Sequence, residues 1–259
     1  MNRLFALLFT LSLSLSLSSH AQDAPSPDEA NGQNAVIIDF LNNLKADNSV
    51  YMATHKIEFF ADLSKGQMPK ATVVTCSDSR VQANMFNRTP EGDLFMVRNI
   101  GNQMGTAEGS VEYGVHHLRT PVLLFLGHSR CGAISAASGN YSKESPAIKR
   151  ELDTIAIPKE ITNLDGVKTN VHNQVTAAMF KFSEEIAAGQ LIVIGAVMDF
   201  ADDLHQGAGK LHLININGET DSAKLENAGA LLNKGKPKPV PATRKPAAPG
   251  KPAAADQHH

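Results

Sequence analysis

Tryptophan is absent from this 259-residue chain, and it carries only three tyrosines and two cysteines. Two cysteines exclude a disulfide-dense scaffold and allow at most one internal bridge. Charge of one sign is lacking too, with 24 Lys and Arg set against 26 Asp and Glu for a formal charge of −2 at pH 7. That balance supplies no basic field for nucleic acid, so none is expected as a partner. No Gly-x-Gly-x-x-Gly follows any apolar run, which removes the dinucleotide fingerprint. The one long uncharged run, Leu4 to Leu17, is broken by serines and falls short of the roughly 20 apolar residues that span a bilayer.

The two ends read differently from the middle. Met1-Asn2-Arg3 gives a positive start, the uncharged run follows, and Ser19-His20-Ala21 closes with a small-x-small pattern. Residues 1–21 are therefore expected to be a signal peptide, and the mature chain to be exported, either periplasmic or secreted. Residues 22–32 read as a polar linker. At the other end, Lys234 to Ala255 holds six prolines and six Lys or Arg with no acid. Such a segment buries too little to offset its ordering entropy. Residues 233–259 are expected to form a disordered basic tail, with a weak charge attraction to anionic cell-envelope surfaces. That leaves 33–232 as one domain of ordinary size.

Within it, apolar runs alternate with helical periodicity. Val36, Ile37, Phe40, Leu41 and Leu44 fall at helical spacing and predict a helix over 34–45. A second helix is predicted over 50–63, ended by Gly66 to Pro69. Strands are predicted at 71–76, 94–98, from Pro121 and over 191–197. Helices are predicted at 106–118 and 169–188, with short helical pieces over 141–166. Lys210 to Ile216 alternates and reads as a short edge strand. Most strands are continuous apolar runs, which is how strands covered on both faces read. The fold class expected is α/β: a mainly parallel central sheet with helices on both faces and a short antiparallel edge strand.

Two stretches end predicted strands and carry the chemistry. Cys76-Ser77-Asp78-Ser79-Arg80 closes the first strand, and His128-Ser129-Arg130-Cys131 closes the third. Sheets of this kind place their sites at the carboxyl ends of strands. Two soft thiolates and an imidazole supply three legs of a zinc tetrahedron, leaving the fourth for water or for Asp78. A lone structural disulfide gives no use to a His three residues before one Cys, or to an Asp and an Arg just after the other. Asp78 and Arg80, two apart, can pair bidentately on a turn. An Arg engaging that carboxylate would keep it ionised and off the metal.

Cys-x-Asp-x-Arg followed by His-x-x-Cys is similar to the motif pair of the β-class carbonic anhydrases. The likeness continues, in family order, through Arg98-Asn99-Ile100-Gly101-Asn102, Gly109-Ser110-Val111-Glu112-Tyr113, Gly127 to Ala133, and Asn170-Val171-His172-Asn173-Gln174. It covers roughly residues 33–217 and follows the family's closing strand–turn–strand, here Met198 to Leu211, only loosely.

The resemblance implies a zinc enzyme that hydrates CO2 reversibly to bicarbonate and a proton by attack of zinc-bound hydroxide. It implies one Zn2+ per subunit on Cys76, His128 and Cys131, with Asp78 and Arg80 as the catalytic dyad. It implies substrate-binding roles for Gln67, Phe95, Ile100 and Tyr113, as in the plant-like, open-site branch. It also implies a homodimer or dimer-based oligomer whose amino-terminal helices embrace the neighbour. Another branch carries a Trp near the first Cys and an inhibitory bicarbonate site; Val73 stands at that place here. Tyr113 and His117, four apart on one helix face, resemble a pair discussed as a proton route to buffer. Two rivals share the ligands. One is a carbon disulfide or carbonyl sulfide hydrolase on the same scaffold, separated by substrate access. The other is a non-enzymatic zinc-binding protein, which has no need of the Asp78–Arg80 pair.

Overall fold

The computed structural model describes residues 27–227. The expectations for 1–21 and for the tail 233–259 lie outside those residues. Two compact units divide at Phe59/Phe60.

The first unit holds α1, Pro27–Thr54, a single helix of 28 residues. The predicted break between 45 and 50 is absent. Ala46-Asp47-Asn48-Ser49 contains neither Gly nor Pro, so nothing in it stops the helix, and Ser49 Oγ, donating back to the Lys45 carbonyl at 2.8 Å, does not compete with the backbone N–H groups. It also starts inside the stretch read as linker, with Pro27 at its first position, where proline is well tolerated. The chain leaves the helix at His55 and resumes as α2, Ile57–Leu63. Val36, Ile37, Phe40, Leu41 and Leu44 on α1 are all more than half exposed. Among the described residues no helix is long and apolar enough to cross a membrane.

The second unit is built on five strands: β1 Ala71–Cys76, β2 Leu94–Asn99, β3 Val122–His128, β4 Ile192–Asp199 and β5 Lys210–Ile216. Their order is β2-β1-β3-β4-β5, parallel except for the antiparallel β4–β5 pair at the edge. The sheet is thus the mainly parallel one expected, with Lys210–Ile216 as its antiparallel edge. Every residue of β1 is buried, as a strand covered on both faces requires. The chain steps from β1 to β2 on one side and then returns to β3 on the other. The crevice between the carboxyl ends of β1 and β3 is therefore the switch point, where open parallel sheets bind ligands.

A one-turn α3, Pro90–Asp93, precedes β2. Helix α4, Glu108–Glu112, continues as a wider π turn over Tyr113–His117. Then come α5 Gly132–Ser138, α6 Pro146–Leu152, α7 Asn163–Lys181, α8 Ser183–Ala187 and, after the sheet, α9 Ser222–Glu226. The larger core packs Val74, Val97, Leu123, Phe125, Val193 and Val197 against Val111, Ile134, Val171 and Val175 of the helices. The opposite face carries Ala71, Val73, Leu126, Ala196 and Met198, flanked by half-buried Leu94, Met96, Val122 and Leu124.

Helix α7 starts six residues earlier than periodicity predicts and so takes in Gly166, a residue poor in helix propensity. That glycine serves a close contact: a Cβ there would meet Ile134 Cγ2 at 2.7 Å. Thr162 caps this helix by accepting from the Asp165 N–H.

Gly114 shows how closely the α4 continuation approaches the sheet. A Cβ at Gly114 would lie 2.0 Å from Thr72 Oγ1, and Thr72 in turn bonds Thr120 Oγ1 at 2.8 Å. Thr72 is β-branched and buried, so it has little rotamer freedom with which to retreat. Gly114→Ala is expected to destabilise the fold by about 1–3 kcal/mol, read as a lower denaturant midpoint. Gly109→Ala is the control: nothing lies within 4 Å of its Cβ position, so its midpoint should hold or rise slightly.

Candidate metal centre

Three elements deliver three ligands. Cys76 is the last residue of β1 and His128 the last of β3. The strands pair in parallel, Thr75 opposite Leu126, so both side chains emerge at the same end of the sheet. Ser129 and Arg130 then turn the chain, Arg130 at a positive φ of 56°, and Cys131 caps the start of α5. Asn163, at the start of α7, fixes this cysteine's backbone from both sides: its Oδ1 accepts from the Cys131 N–H at 3.2 Å and its Nδ2 donates to the Cys131 carbonyl at 2.9 Å.

One ligand atom from each of Cys76, His128 and Cys131 lies within 4.8 Å of the other two, and all three residues are buried. The sulfurs are 4.0 Å apart and both cysteines are free. His128 Nδ1 faces the Ser129 carbonyl at 3.0 Å. A carbonyl only accepts, so Nδ1 carries the proton and Nε2 turns a lone pair inward. That Nε2 is buried without a hydrogen-bond partner. An orphaned imidazole nitrogen facing two thiols is what a tetrahedral soft metal would satisfy, and the donor set suits zinc.

The thiols share their protons unequally. A hydrogen bond from Cys131 holds Cys76 as a thiolate, its pKa lowered to about 4 against the opposing effect of burial. The same pairing, with burial adding to it, pushes the Cys131 thiol up.

Asp78 sits at the rim. Arg80 Nε donates to its Oδ1 at 2.9 Å and Arg80 Nη2 to its Oδ2 at 2.7 Å, and the Arg80 N–H adds a third bond at 3.0 Å. The guanidinium bonds hold this carboxyl well below the usual carboxylate range. Asp78 Oδ2 is 3.7 Å from His128 Nε2, so it faces the ligand cluster while remaining tied to Arg80. Arg80 Nη2 also donates to the Arg130 carbonyl at 3.2 Å, linking the two motif loops.

Two supports were not assigned from sequence. Asn163 is one; a single Asn opening a helix carries no signal of its partner. Arg98 is the other, donating to the carbonyls of Cys76 (3.0 Å) and Asp78 (2.8 Å) and so fixing the first loop. Behind it, a buried amide network sets the turn at 99–104. Gln103 Nε2 donates to the Gly101 carbonyl and to Asn170 Oδ1, and Gln174 Oε1 accepts from the Met104 N–H at 2.8 Å. Asn170 and Gln174 are the polar members of a helix otherwise facing the core.

The remaining candidates divide. Ile100 follows Asn99, which pairs with Cys76, and so lies at the ligand end of the sheet. Phe95 pairs with Thr72 instead, four residues back along the strand, or about 13 Å at the usual rise. Tyr113 packs on Phe95 with ring centroids 5.7 Å apart, and His117 stacks on Tyr113 at 4.4 Å. Phe95, Tyr113 and His117 thus form an aromatic cluster set away from the cysteines of the same chain. Gln67 is exposed in the segment between α2 and β1.

Comparison with known proteins agrees with this geometry. A family model described as "Carbonic anhydrase" matches residues 71–207. The protein "Carbonic anhydrase 2" of Mycobacterium tuberculosis is 30% identical over 181 residues, covering 61% of this chain and 86% of that protein. Among solved structures, a tetrameric β-carbonic anhydrase of Sordaria macrospora superposes with a TM-score of 0.56 at 26% identity, covering 68% of this chain and 96% of that one. The Coccomyxa β-carbonic anhydrase in complex with acetazolamide gives 0.56 at 25% identity, over 73% and 90%.

The unequal thiols make a prediction about loading. At pH 6 Cys76 is already a thiolate and Cys131 is not. Zinc titrated into the metal-free protein should therefore release about one proton per chain from the two cysteines. Calorimetry in buffers of different ionisation enthalpy measures it. Release of two protons would show that the pair does not share a charge.

Proposed function

The chain belongs to the β-class carbonic anhydrases, and on that premise we propose that it hydrates CO2 reversibly to bicarbonate and a proton, with one zinc ion held by Cys76 Sγ, His128 Nε2 and Cys131 Sγ. The observation that carries the reading is the Asp78–Arg80 pair, bidentate and turned toward the orphaned His128 Nε2. Bound there, zinc supplies the Lewis acidity that brings the pKa of water to about 7.

The chain's own residues do the rest. Arg80 keeps Asp78 ionised and holds both its oxygens, so the carboxylate is an acceptor at the mouth of the site and not a fourth ligand. From Oδ2 it can take a hydrogen bond from the reacting water and so aim a lone pair at carbon. Ile100, apolar and at the same end, keeps bulk water from that face. A storage site would gain nothing from an arginine-locked carboxylate beside its ligands.

The pocket residues imply assembly. Phe95 and Tyr113 cannot wall the metal centre of their own chain from about 13 Å away along the sheet, so their substrate role requires a second copy. The same holds for Tyr113 and His117 as a route for the proton. Two features favour such a copy: the exposed Val36, Ile37, Phe40, Leu41 and Leu44 of α1, and the half-buried Leu94, Met96, Val122 and Leu124 on the sheet. Exposed apolar area on this scale marks interaction surfaces. Export is proposed from Met1–Ala21 alone, and the basic tail from its charge.

Stopped-flow hydration of CO2 tests the reading. The zinc-loaded protein should accelerate acidification, and Cys76→Ala should lose both metal and rate. Asp78→Ala should keep its zinc and lose at least about tenfold in kcat/KM; a wild-type rate in that variant would refute the dyad. Sedimentation tests assembly: Phe40→Asp with Leu41→Asp should shift the protein to the monomer and depress hydration with the zinc still bound.

A further inference from the structure

Strand β4 ends at Asp199, one residue past Met198, the partner of His128. Asp199 is fully buried, and among the described residues no cation lies within ion-pair distance of it. Its charge is met by hydrogen-bond donors alone. Oδ1 accepts from the Ala201 N–H at 3.1 Å and Oδ2 from the Leu204 N–H at 2.8 Å. A buried carboxylate without a counter-ion is costly unless its donors are fixed, so Asp199 holds the turn 200–204 in one shape.

That turn grips the second motif loop. The Ser129 N–H donates to the Met198 carbonyl at 2.9 Å, and Ser129 Oγ accepts from the Phe200 N–H at 2.8 Å. Asp203 pairs with Arg130 at 3.5 Å. Arg130 supplies the carbonyl to which Arg80 donates. What the turn presents to the site is Phe200. Its ring lies 5.8 Å from that of His128, and Arg80 Cζ sits 5.5 Å from its centroid. Arg80 is half exposed, at 49%, and a side chain so placed would otherwise keep much of its rotamer freedom. An aromatic face within about 6 Å attracts and orients a guanidinium.

We infer that Asp199 and Phe200 are positioning residues for hydration: Asp199 shapes the turn, and Phe200 offers the face that keeps Arg80 aligned on Asp78. Neither touches the reacting atoms. The arm concerning rate rests on the hydration reading above; the arm concerning Arg80 does not.

Phe200→Leu fills much of the same space without the π face and is the variant least prone to misfold. Two measurements are made on the zinc-loaded full chain. The first is water exchange of the Arg80 side-chain Nε–H by NMR, assigned by its loss in Arg80→Lys. The second is kcat/KM for CO2 beside zinc stoichiometry. Phe200→Leu is expected to speed Nε–H exchange several-fold and lower kcat/KM about tenfold at one zinc per chain. Phe200→Tyr, which keeps the ring, should restore both. In an Arg80→Ala background Phe200→Leu should cost nothing further, since Phe200 acts through that arginine. Asp199→Asn should reproduce the exchange effect.

Unchanged exchange in Phe200→Leu overturns the inference. So does an undiminished rate loss from Phe200→Leu when Arg80 is already gone. If the wild-type chain hydrates no CO2, the hydration reading fails, and the exchange measurement still decides the role of Phe200.

Discussion

Everything at the candidate site depends on the parallel register of β1 against β3. A strand alternates its side chains, so a slip of one residue would turn Cys76 to the other face of the sheet and shift it about 3.3 Å along β3, away from the place where it meets His128 at the strand ends. The register is fixed at both ends by polar side chains that cannot move: Thr75 Oγ1 donates to the Leu126 carbonyl at 3.0 Å near the ligands, and Thr72 bonds Thr120 at the far end. Two threonines in a strand buried on both faces are satisfied only in this alignment, since an unmet buried hydroxyl costs about 1–3 kcal/mol. The hydrophobic run makes β1 a central strand; its threonines say which rung it occupies.

From that register follows a competition for one carboxylate. Asp78 is near enough to the ligand cluster to serve as a fourth ligand, at 3.7 Å from His128 Nε2. Arg80 takes both its oxygens instead. Charge-assisted bonds of this kind contribute about 1.5–3 kcal/mol each, less here because Arg80 is half exposed and screened. Whatever restrains the guanidinium therefore bears on where the carboxylate rests. The Arg130 carbonyl and the Phe200 ring are those restraints, and both belong to loops that close later strands. The site is therefore assembled from three strand ends rather than two.

The sheet, its edge strand and the Cys76–His128–Cys131 cluster were legible because each leaves a short-range mark. Continuous apolar runs give strands, alternation at 210–216 gives the edge, and Cys, Asp, Arg, His and Cys stand at fixed short spacings. Two kinds of feature were not legible. Helix limits failed where one residue carried two meanings: Gly166 is poor in helix propensity but serves close packing against Ile134, and Ala46 to Ser49 lacks periodicity but contains nothing that stops a helix. The supporting shell failed because its partners are remote in sequence. Asn163 clamps Cys131 from 32 residues away, and Phe200 meets Arg80 from 120. No periodicity or spacing encodes such pairs, and Phe200 falls in the stretch from Met198 to Leu211, which follows the family pattern only loosely.

Phe95 carries the argument one step further. Its type and its place in a strand suit either a core or a pocket. The register puts it opposite Thr72, at the other end of the sheet from Cys76, and it is only half buried there, against an exposed Tyr113. A core residue would be closed over, and a pocket wall would face the ligands. Being neither within one chain, the Phe95–Tyr113–His117 stack fits the proposed assembly, in which another copy would complete it. In that proposed assembly, the strand length that separates the stack from its own cysteines would set the span at which a neighbour's centre arrives.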